Sequence, residues 1–258
     1  EVREYLRKFR MIPKYELLIE KENPKLYNMT NLVLPMFGTF HHHNDSSILI
    51  SKFENEFTEF PSAAKPKKVN IIGSDGQKYS YILKSADDLR IDQRTMILFR
   101  FMNQFLDTKI RTYSVVPLTV QFGVIQFVHN SESIEKLIVN YRIKNGIDVR
   151  AEANVLVNKY LVKKNIGSYD TMKPTTKNLC FKKVLRDTQA REIDLRESMY
   201  YLAPDTETWA KYTVNFSKSC AVNSMVGYII GIGDRHLQNI LVNKIDGSVI
   251  HIDLTDCF

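Results

Sequence analysis

The sequence predicts an α+β protein, sheet-rich in its first half and mainly helical in its second. Three observations carry this. Between about Ser46 and Val128, short apolar runs and alternating apolar and polar residues surround a single helical stretch. From His129 onward, apolar residues recur at spacings of three and four. Asp75-Gly76 and Asp246-Gly247 each sit between strand-like runs, where they signal tight hairpins.

The elements follow in order. Residues 1–28 are mixed and charged, with helical spacing near Val2, Tyr5, Leu6 and Phe9 and punctuation at Pro13 and Pro24. Residues 1–40 therefore read as the end of a preceding helical region and a lead-in. Ile48-Leu49-Ile50 and Val69-Asn70-Ile71-Ile72 are strand-like, and Tyr79, Tyr81 and Leu83 alternate along a strand returning from the turn. Met96, Phe99, Met102, Asn103 and Leu106 predict a helix over Asp92–Leu106, followed by strands at 113–118 and 124–128. Residues 41–128 form the expected first lobe. In residues 129–258, Ser131 is the expected N-cap of a helix over Ile134–Tyr141. The polar stretch from about Asn165 to Lys182 reads as an exposed loop. Trp209 to Ile230 reads as a long helix ending at Gly231 and Gly233, its apolar second half read as core. Ile240-Leu241-Val242 and Val249-Ile250-His251-Ile252 flank the second hairpin turn.

Composition narrows the class. The 258 residues are 44% hydrophobic, enough for one large domain or two lobes. No stretch approaches the roughly 18 apolar residues of a membrane span. The net charge is +7, and its excess gathers between Lys159 and Arg191. No aromatic residues interleave that run in the manner of single-strand binding, so it reads as a solvated face and no nucleic-acid contact is expected. Cys180, Cys220 and Cys257 are widely spaced, with neither metal-ligand spacing nor a disulfide framework, which points to a reducing compartment. His41-His42-His43 reads as an exposed loop. The start at Glu1-Val2-Arg3-Glu4 is neither a signal peptide nor an initiating methionine, so the chain is read as a piece of a larger protein.

The chemistry concentrates in Gly231-Ile232-Gly233-Asp234-Arg235-His236-Leu237-Gln238-Asn239, followed by His251-Ile252-Asp253-Leu254. Phosphoryl transfer from ATP needs hard oxygen ligands for Mg²⁺ and a group that orients the acceptor hydroxyl. Kinases meet this with an Asp and an Asn five residues later in one loop, and a second Asp beyond. Asp234 and Asn239 have that separation, and Asp253 follows after one hairpin. His251, on a strand, reads as packing or orientation.

The order Asp234-Arg235-His236 is the reverse of the ordinary protein-kinase loop. It resembles the phosphoinositide 3-kinase superfamily. The run from Ala221 to Gly231, with Lys67-Lys68, Gly73-Ser74-Asp75-Gly76, Lys84 and Asp88-Leu89-Arg90-Ile91-Asp92, resembles its protein-kinase branch, the phosphatidylinositol 3-kinase-related kinases. Within that branch, the Ile134–Arg150 segment and the ending His251–Phe258 resemble the target-of-rapamycin group best. The resemblance covers roughly Gly38 to Phe258. It implies a bilobal kinase fold, ATP with Mg²⁺ (or Mn²⁺), and transfer to serine or threonine hydroxyls of protein substrates in growth or stress signalling. Lys84 would contact the ATP phosphates, with Asp92 as its acidic partner ahead of Asp87 and Asp88. Asp234 would orient or deprotonate the acceptor hydroxyl, and His236 would stabilise the transferring group. Asn239 and Asp253 would bind Mg²⁺. Ile125, Phe127 and Val128 would form the hinge against adenine. The resemblance further implies accessory subunits in a large complex, peripheral membrane association, and residence in the cytoplasm, the nucleus or on the cytoplasmic face of endomembranes.

Three features depart from the family pattern. The phosphate-covering loop, about Phe53 to Ala63, has no glycine, and Glu56 stands near where the family often has a serine; either the register is shifted by a few residues, Ser62 does that work, or nucleotide affinity is reduced. Asp253-Leu254-Thr255 lacks the usual glycine hinge. The chain stops at Phe258, before the activation loop, so residues 1–258 alone are expected to be inactive. A phosphoinositide lipid kinase and a nucleotide-binding pseudokinase are the alternatives.

Overall fold

The computed structural model describes residues 17–35, 47–60, 65–85, 88–156, 159, 161, 171–187, 193–254 and 257. The expected features at Val2–Phe9, Pro13, His41–His43, Ser62, Asp87 and Thr255 lie outside them. The chain divides into two compact units: Glu1–His129 with Met225–Gly233 and Asp253–Phe258, and Asn130–Ser224 with Asp234–Ile252.

The first unit is built on an antiparallel sheet. Its strands are β1 (Ile50–Phe53), β2 (Thr58–Glu59), β3 (Lys67–Gly73), β4 (Lys78–Ser85), β5 (Val115–Thr119) and β6 (Phe122–Gln126). The order is β1-β3-β4-β6-β5, with β2 also pairing β3. The period-two pattern sets the two faces. Val69, Ile71, Tyr81 and Val124 turn into a core with Ile19, Leu34, Ile50 and Phe53. The pairs Lys68↔Ile82 and Asn70↔Ser80, continued by Ile82↔Ile125 and Lys84↔Gly123, put Lys68, Asn70, Ser80, Ile82, Lys84 and Ile125 on the other face. Two one-turn helices, α1 (Ile19–Glu22) and α2 (Pro24–Tyr27), lead in. They belong to this sheet rather than to a separate region, because Ile19 N–H donates to Asn55 O at 2.7 Å and Phe57 N–H to Leu17 O at 3.0 Å.

Helix α3 runs Arg90–Met102, shorter than expected at its C-terminal end. Asn103 stops it: its side chain donates to Ile110 O at 2.8 Å and accepts from Ile110 N–H at 2.7 Å, folding the chain back. Asp92, Thr95, Met96 and Phe99 form its buried face.

The second unit holds α4 (Ile134–Lys144), α5 (Ala151–Val155), α6 (Pro174–Asp187), α7 (Asp194–Tyr200), most of α8 (Thr206–Ile229) and a three-stranded sheet of β7 (Ser131–Ser133), β8 (Ile240–Asn243) and β9 (Val249–His251). Its core joins Ile134, Leu137, Met199 and Val242 to Trp209 and Phe216. Arg142 on α4 reaches the buried Asp194 at 2.7 Å and Glu152 at 2.7 Å, tying α4 to α5 and α7.

Three expectations are corrected here. Ser133, not Ser131, caps α4, accepting from Lys136 N–H at 3.3 Å, because the helix starts at Ile134 and Ser131 lies two residues before the cap position. The stretch expected as an irregular loop contains α6: Cys180 and Val184, four apart, fall on one face and pack with Met172. In the apolar end of α8, Val226 is buried, whereas Met225, Ile229 and Tyr228, the last 85% exposed, lie off that face.

Helix α8 begins at Thr206, where Asp205 accepts from Thr208 N–H at 2.7 Å. Three of its side chains, spaced three and four apart, hold the β8–β9 hairpin. Tyr212 Oη donates to Lys244 O at 2.7 Å, Asn215 Nδ2 to Asp246 O at 2.9 Å, and Ser219 Oγ accepts from Val249 N–H at 2.8 Å. At the hairpin turn Gly247 has φ +75, and a Cβ there would stand 2.8 Å from Tyr212 Cα. Gly76, in the β3–β4 turn, has the same φ but open space around it.

The two glycines therefore give a graded test. Gly76→Ala bears only the left-handed backbone cost, about 1 kcal/mol. Gly247→Ala adds a backbone collision and is expected to lose about 2–4 kcal/mol. Equilibrium denaturation checks the order; equal losses would contradict the close approach to α8.

Candidate active site

Within the first unit, β4 carries Lys84 and the segment after β9 carries Asp253. Lys84 Nζ lies 3.3 Å from Asp253 Oδ1, with the lysine side chain 15% exposed. Asp92, on the first turn of α3, is 2% exposed. Its Oδ1 accepts from Leu254 N–H at 2.8 Å, so α3 anchors the residue directly after Asp253. Its Oδ2 is buried with no hydrogen-bond partner. Burial pushes the Asp92 carboxyl above the usual carboxylate range and the nearby Asp253 adds to this; Leu254 N–H and the Lys84 charge pull the other way. The expected acidic partner of Lys84 thus feels its charge but spends a carboxylate oxygen on the main chain. Thr95 Oγ1, one turn on, lies 3.7 Å from Cys257 Sγ, a further contact between α3 and this segment.

Of the expected adenine residues, Ile125 lies near the end of β6 and Phe127 and Val128 follow it. Ile125 pairs with Ile82, and Phe127 N–H donates to Ser80 O at 2.8 Å. Val128 is half-buried beside them in sequence. Among the expected phosphate-covering residues, Glu56 is exposed and bridges Leu18 through the main chain. Ser62 lies outside the described residues.

Within the second unit, the loop between α8 and β8 brings Asp234, His236 and Asn239 together. Asn239 is buried, and its Nδ2 donates to Asp234 O at 3.1 Å and Asp234 Oδ2 at 3.4 Å. Gln238 N–H donates to His236 Nδ1 at 3.2 Å. That bond makes Nδ1 an acceptor, so a neutral His236 carries its proton on Nε2. Nε2 stands 3.7 Å from Asp234 Oδ2. Glu135, Leu237 and Gln238 join His236 around a shallow hollow. Sequence reasoning missed Arg235, whose Nη1 donates to Ile252 O at 2.8 Å. With Ile252 N–H donating to Asn239 O at 3.0 Å, it fixes the loop to the residue before Asp253. His251, at the end of β9, titrates at about 4, lowered by burial and then by the Arg235 charge.

Asp234 has φ +49 and Asp253 φ +56. Left-handed backbone is costly for a residue with a side chain, and strain of this kind collects at functional sites.

The chain belongs to the phosphatidylinositol 3- and 4-kinase family, whose pattern matches residues 78–258. It is 33% identical to Serine/threonine-protein kinase tor1 of Schizosaccharomyces pombe, over 98% of this chain and 11% of that protein. It is also 33% identical to Serine/threonine-protein kinase TOR of Arabidopsis thaliana, over 93% and 10%, and 28% identical to Serine/threonine-protein kinase SMG1 of Danio rerio, over 95% and 8%. The chain thus spans about a tenth of the length of these relatives. Among solved structures it is similar to the FAT and kinase domain of CtTel1, with TM-score 0.69 and 26% identity over 87% of this chain and 16% of that one. The open conformation of CtTel1 shares the fold, with TM-score 0.74 and 24% identity over 96% and 10%. The mixed helix and sheet class and the kinase type expected from sequence are those found.

Two stability measurements probe the site. Asp92→Ala would strand the buried Leu254 N–H and cost about 1–3 kcal/mol, whereas Asp92→Asn keeps an acceptor and should cost less. Denaturant titration of both distinguishes anchoring from a bulk charge effect. The second concerns pH. His251 binds its proton near 4 when folded and near 6.5 when unfolded. The unfolded chain therefore holds the extra proton between those values, and stability falls as pH drops from about 6.5 to about 4. The raised pKa of Asp92 acts oppositely, its contribution growing as pH falls. His251→Gln should flatten the loss over the His251 window; an unchanged slope in the variant would assign it elsewhere.

Proposed function

We propose that this chain is catalytic-domain sequence of an ATP-dependent serine/threonine protein kinase. The observation that carries the reading is the pairing of Lys84 with Asp253 in one unit and the Asp234–His236–Asn239 cluster in the other, both aspartates held in left-handed backbone. The names of the relatives support protein rather than lipid as the acceptor.

In this reading Lys84 contacts the ATP phosphates, and the strand face it shares with Ile82 and Ile125 receives the nucleotide. The acceptor hydroxyl oxygen bonds to the γ-phosphorus as the bridging bond to ADP breaks, and the hydroxyl proton passes to Asp234. His236, protonated on Nε2, donates toward the transferring phosphoryl oxygens. Asn239 and Asp253 would hold Mg²⁺, or Mn²⁺ in its place, which supplies charge neutralisation at the β- and γ-phosphates. The donor chemistry fits. Asn239 commits its amide nitrogen to Asp234, leaving the oxygen as the ligand atom. Among the described residues no group of three or more His, Cys, Asp or Glu could hold a metal by itself. Mg²⁺ in nucleotide sites uses one or two carboxylates, with phosphates and water completing its shell.

Accessory subunits in a large complex, peripheral membrane association and a cytoplasmic, nuclear or endomembrane location belong to the same proposal.

The test uses the protein at its natural full length with labelled ATP, offering protein and phosphoinositide acceptors separately. Label on serine or threonine of protein is expected, with Asp234→Asn and Asp253→Ala each reducing turnover by at least about 10²-fold. Label on lipid alone would replace the reading with a lipid kinase, and nucleotide binding without transfer to either acceptor would replace it with a pseudokinase.

A further inference from the structure

The hinge residue Phe127 is held in an unusual way. Its main chain is pinned by the bond from its N–H to Ser80 O at 2.8 Å, which leaves the ring to be fixed by its neighbours. Lys68 Nζ lies 3.9 Å from the centre of that ring. The imidazole of His129 meets it edge-on, with ring centres 5.1 Å apart and planes at 81°. Lys68 comes from β3, two strands away from β6, and shares the sheet face of Lys84 and Ile125. It is half-buried.

A cation over an aromatic face is attracted to the ring quadrupole, and the attraction strengthens as the pair is desolvated. An alkyl side chain of the same length would touch the ring without centring it. The surrounding charges sharpen the dependence. Lys78 is paired with Glu54 at 2.6 Å. Burial, and then the charge of Lys78, pull the Lys68 ammonium below its usual range, against Glu54. His129 is lowered by burial and by the same two lysines. The ring is thus a principal compensating contact for a partly desolvated cation.

We propose that Lys68 is a positioning residue for the adenine end of the nucleotide site, acting through the ring of Phe127 with His129 at its edge. This rests on the kinase reading above and adds a residue to it. Lys84 serves the phosphate end of the sheet face and Lys68 the base end, so one strand surface orients both ends of the substrate. Lys68 sets affinity for the base and leaves the transfer step alone.

The experiment uses the full-length protein, a non-hydrolysable ATP analogue for calorimetry and ATP for steady-state kinetics. Lys68→Met should weaken analogue binding and raise the KM for ATP by roughly two- to ten-fold, with kcat unchanged. Lys68→Arg, which keeps a cation for the ring, should restore both. In a Phe127→Leu background the Lys68→Met effect should shrink to less than about two-fold, because the ring through which it acts is gone. Lys68→Gln serves for the same comparisons if the Met variant does not fold. Wild-type affinity in Lys68→Met and Lys68→Gln, or an undiminished effect in the Phe127→Leu background, would overturn the assignment. A wild-type protein that binds no analogue would instead overturn the nucleotide reading, and this inference with it.

Discussion

The contact on which the site depends is the seam between one face of α8 and the β8–β9 hairpin. Tyr212, Asn215 and Ser219 bond three main-chain groups of the hairpin, and Gly247 lets the turn approach the helix backbone. Each bond contributes only about 1 kcal/mol net, yet each would leave a polar group unpaired if lost. Their joint effect is geometric. Asn239 enters the hairpin and Ile252 leaves it, and the bond from Ile252 N–H to Asn239 O closes its mouth. The residue that ties the loop and the residue before Asp253 are therefore set by one rigid element.

The two aspartates show what that rigidity supports. A glycine would adopt φ near +50 more cheaply, but it brings no carboxylate. The chain keeps aspartate and offsets the strain locally. Asp234 is held by the side chain of Asn239. Asp253 is held by Lys84, and the residue after it is fixed by Asp92. In both places a buried or half-buried polar group, from the same loop at Asp234 and from other elements at Asp253, braces a strained backbone, which is how an unfavourable conformation persists.

How much of this the sequence discloses depends on how local the cause is. Both hairpins are legible, since Asp75-Gly76 and Asp246-Gly247 carry their turn geometry with them. Asp234, Asn239 and Asp253 are legible because their spacing and order are distinctive. Helix α6 is not, because its apolar face is narrow, only Cys180 and Val184 on the helix being fully buried, and lysines obscure the period. Nor is the polar face of α8, where tyrosine, asparagine and serine look unremarkable until the hairpin lies against them. Arg235 and the anchoring by Asp92 are the hardest to foresee. Their partners are main-chain groups, and that of Asp92 lies 162 residues away. Lys68 stands in a run that reads as an ordinary basic strand until its register places it over Phe127.

The charges of the first unit explain why a lysine, and not a neutral donor, stands on β4. Asp92 is buried with one carboxylate oxygen unpartnered, and Asp253 lies close enough to raise its pKa. Two carboxylates in such proximity repel unless a cation stands with them. Lys84 is that cation: it is paired with Asp253 and its charge draws the Asp92 carboxyl back toward the ionised form. A neutral donor could bond one oxygen but would leave the repulsion in place. The lysine proposed to meet the phosphates is thus also what lets α3 anchor the segment that presents Asp253, so the requirements of the fold and of the chemistry fall on the same side chain.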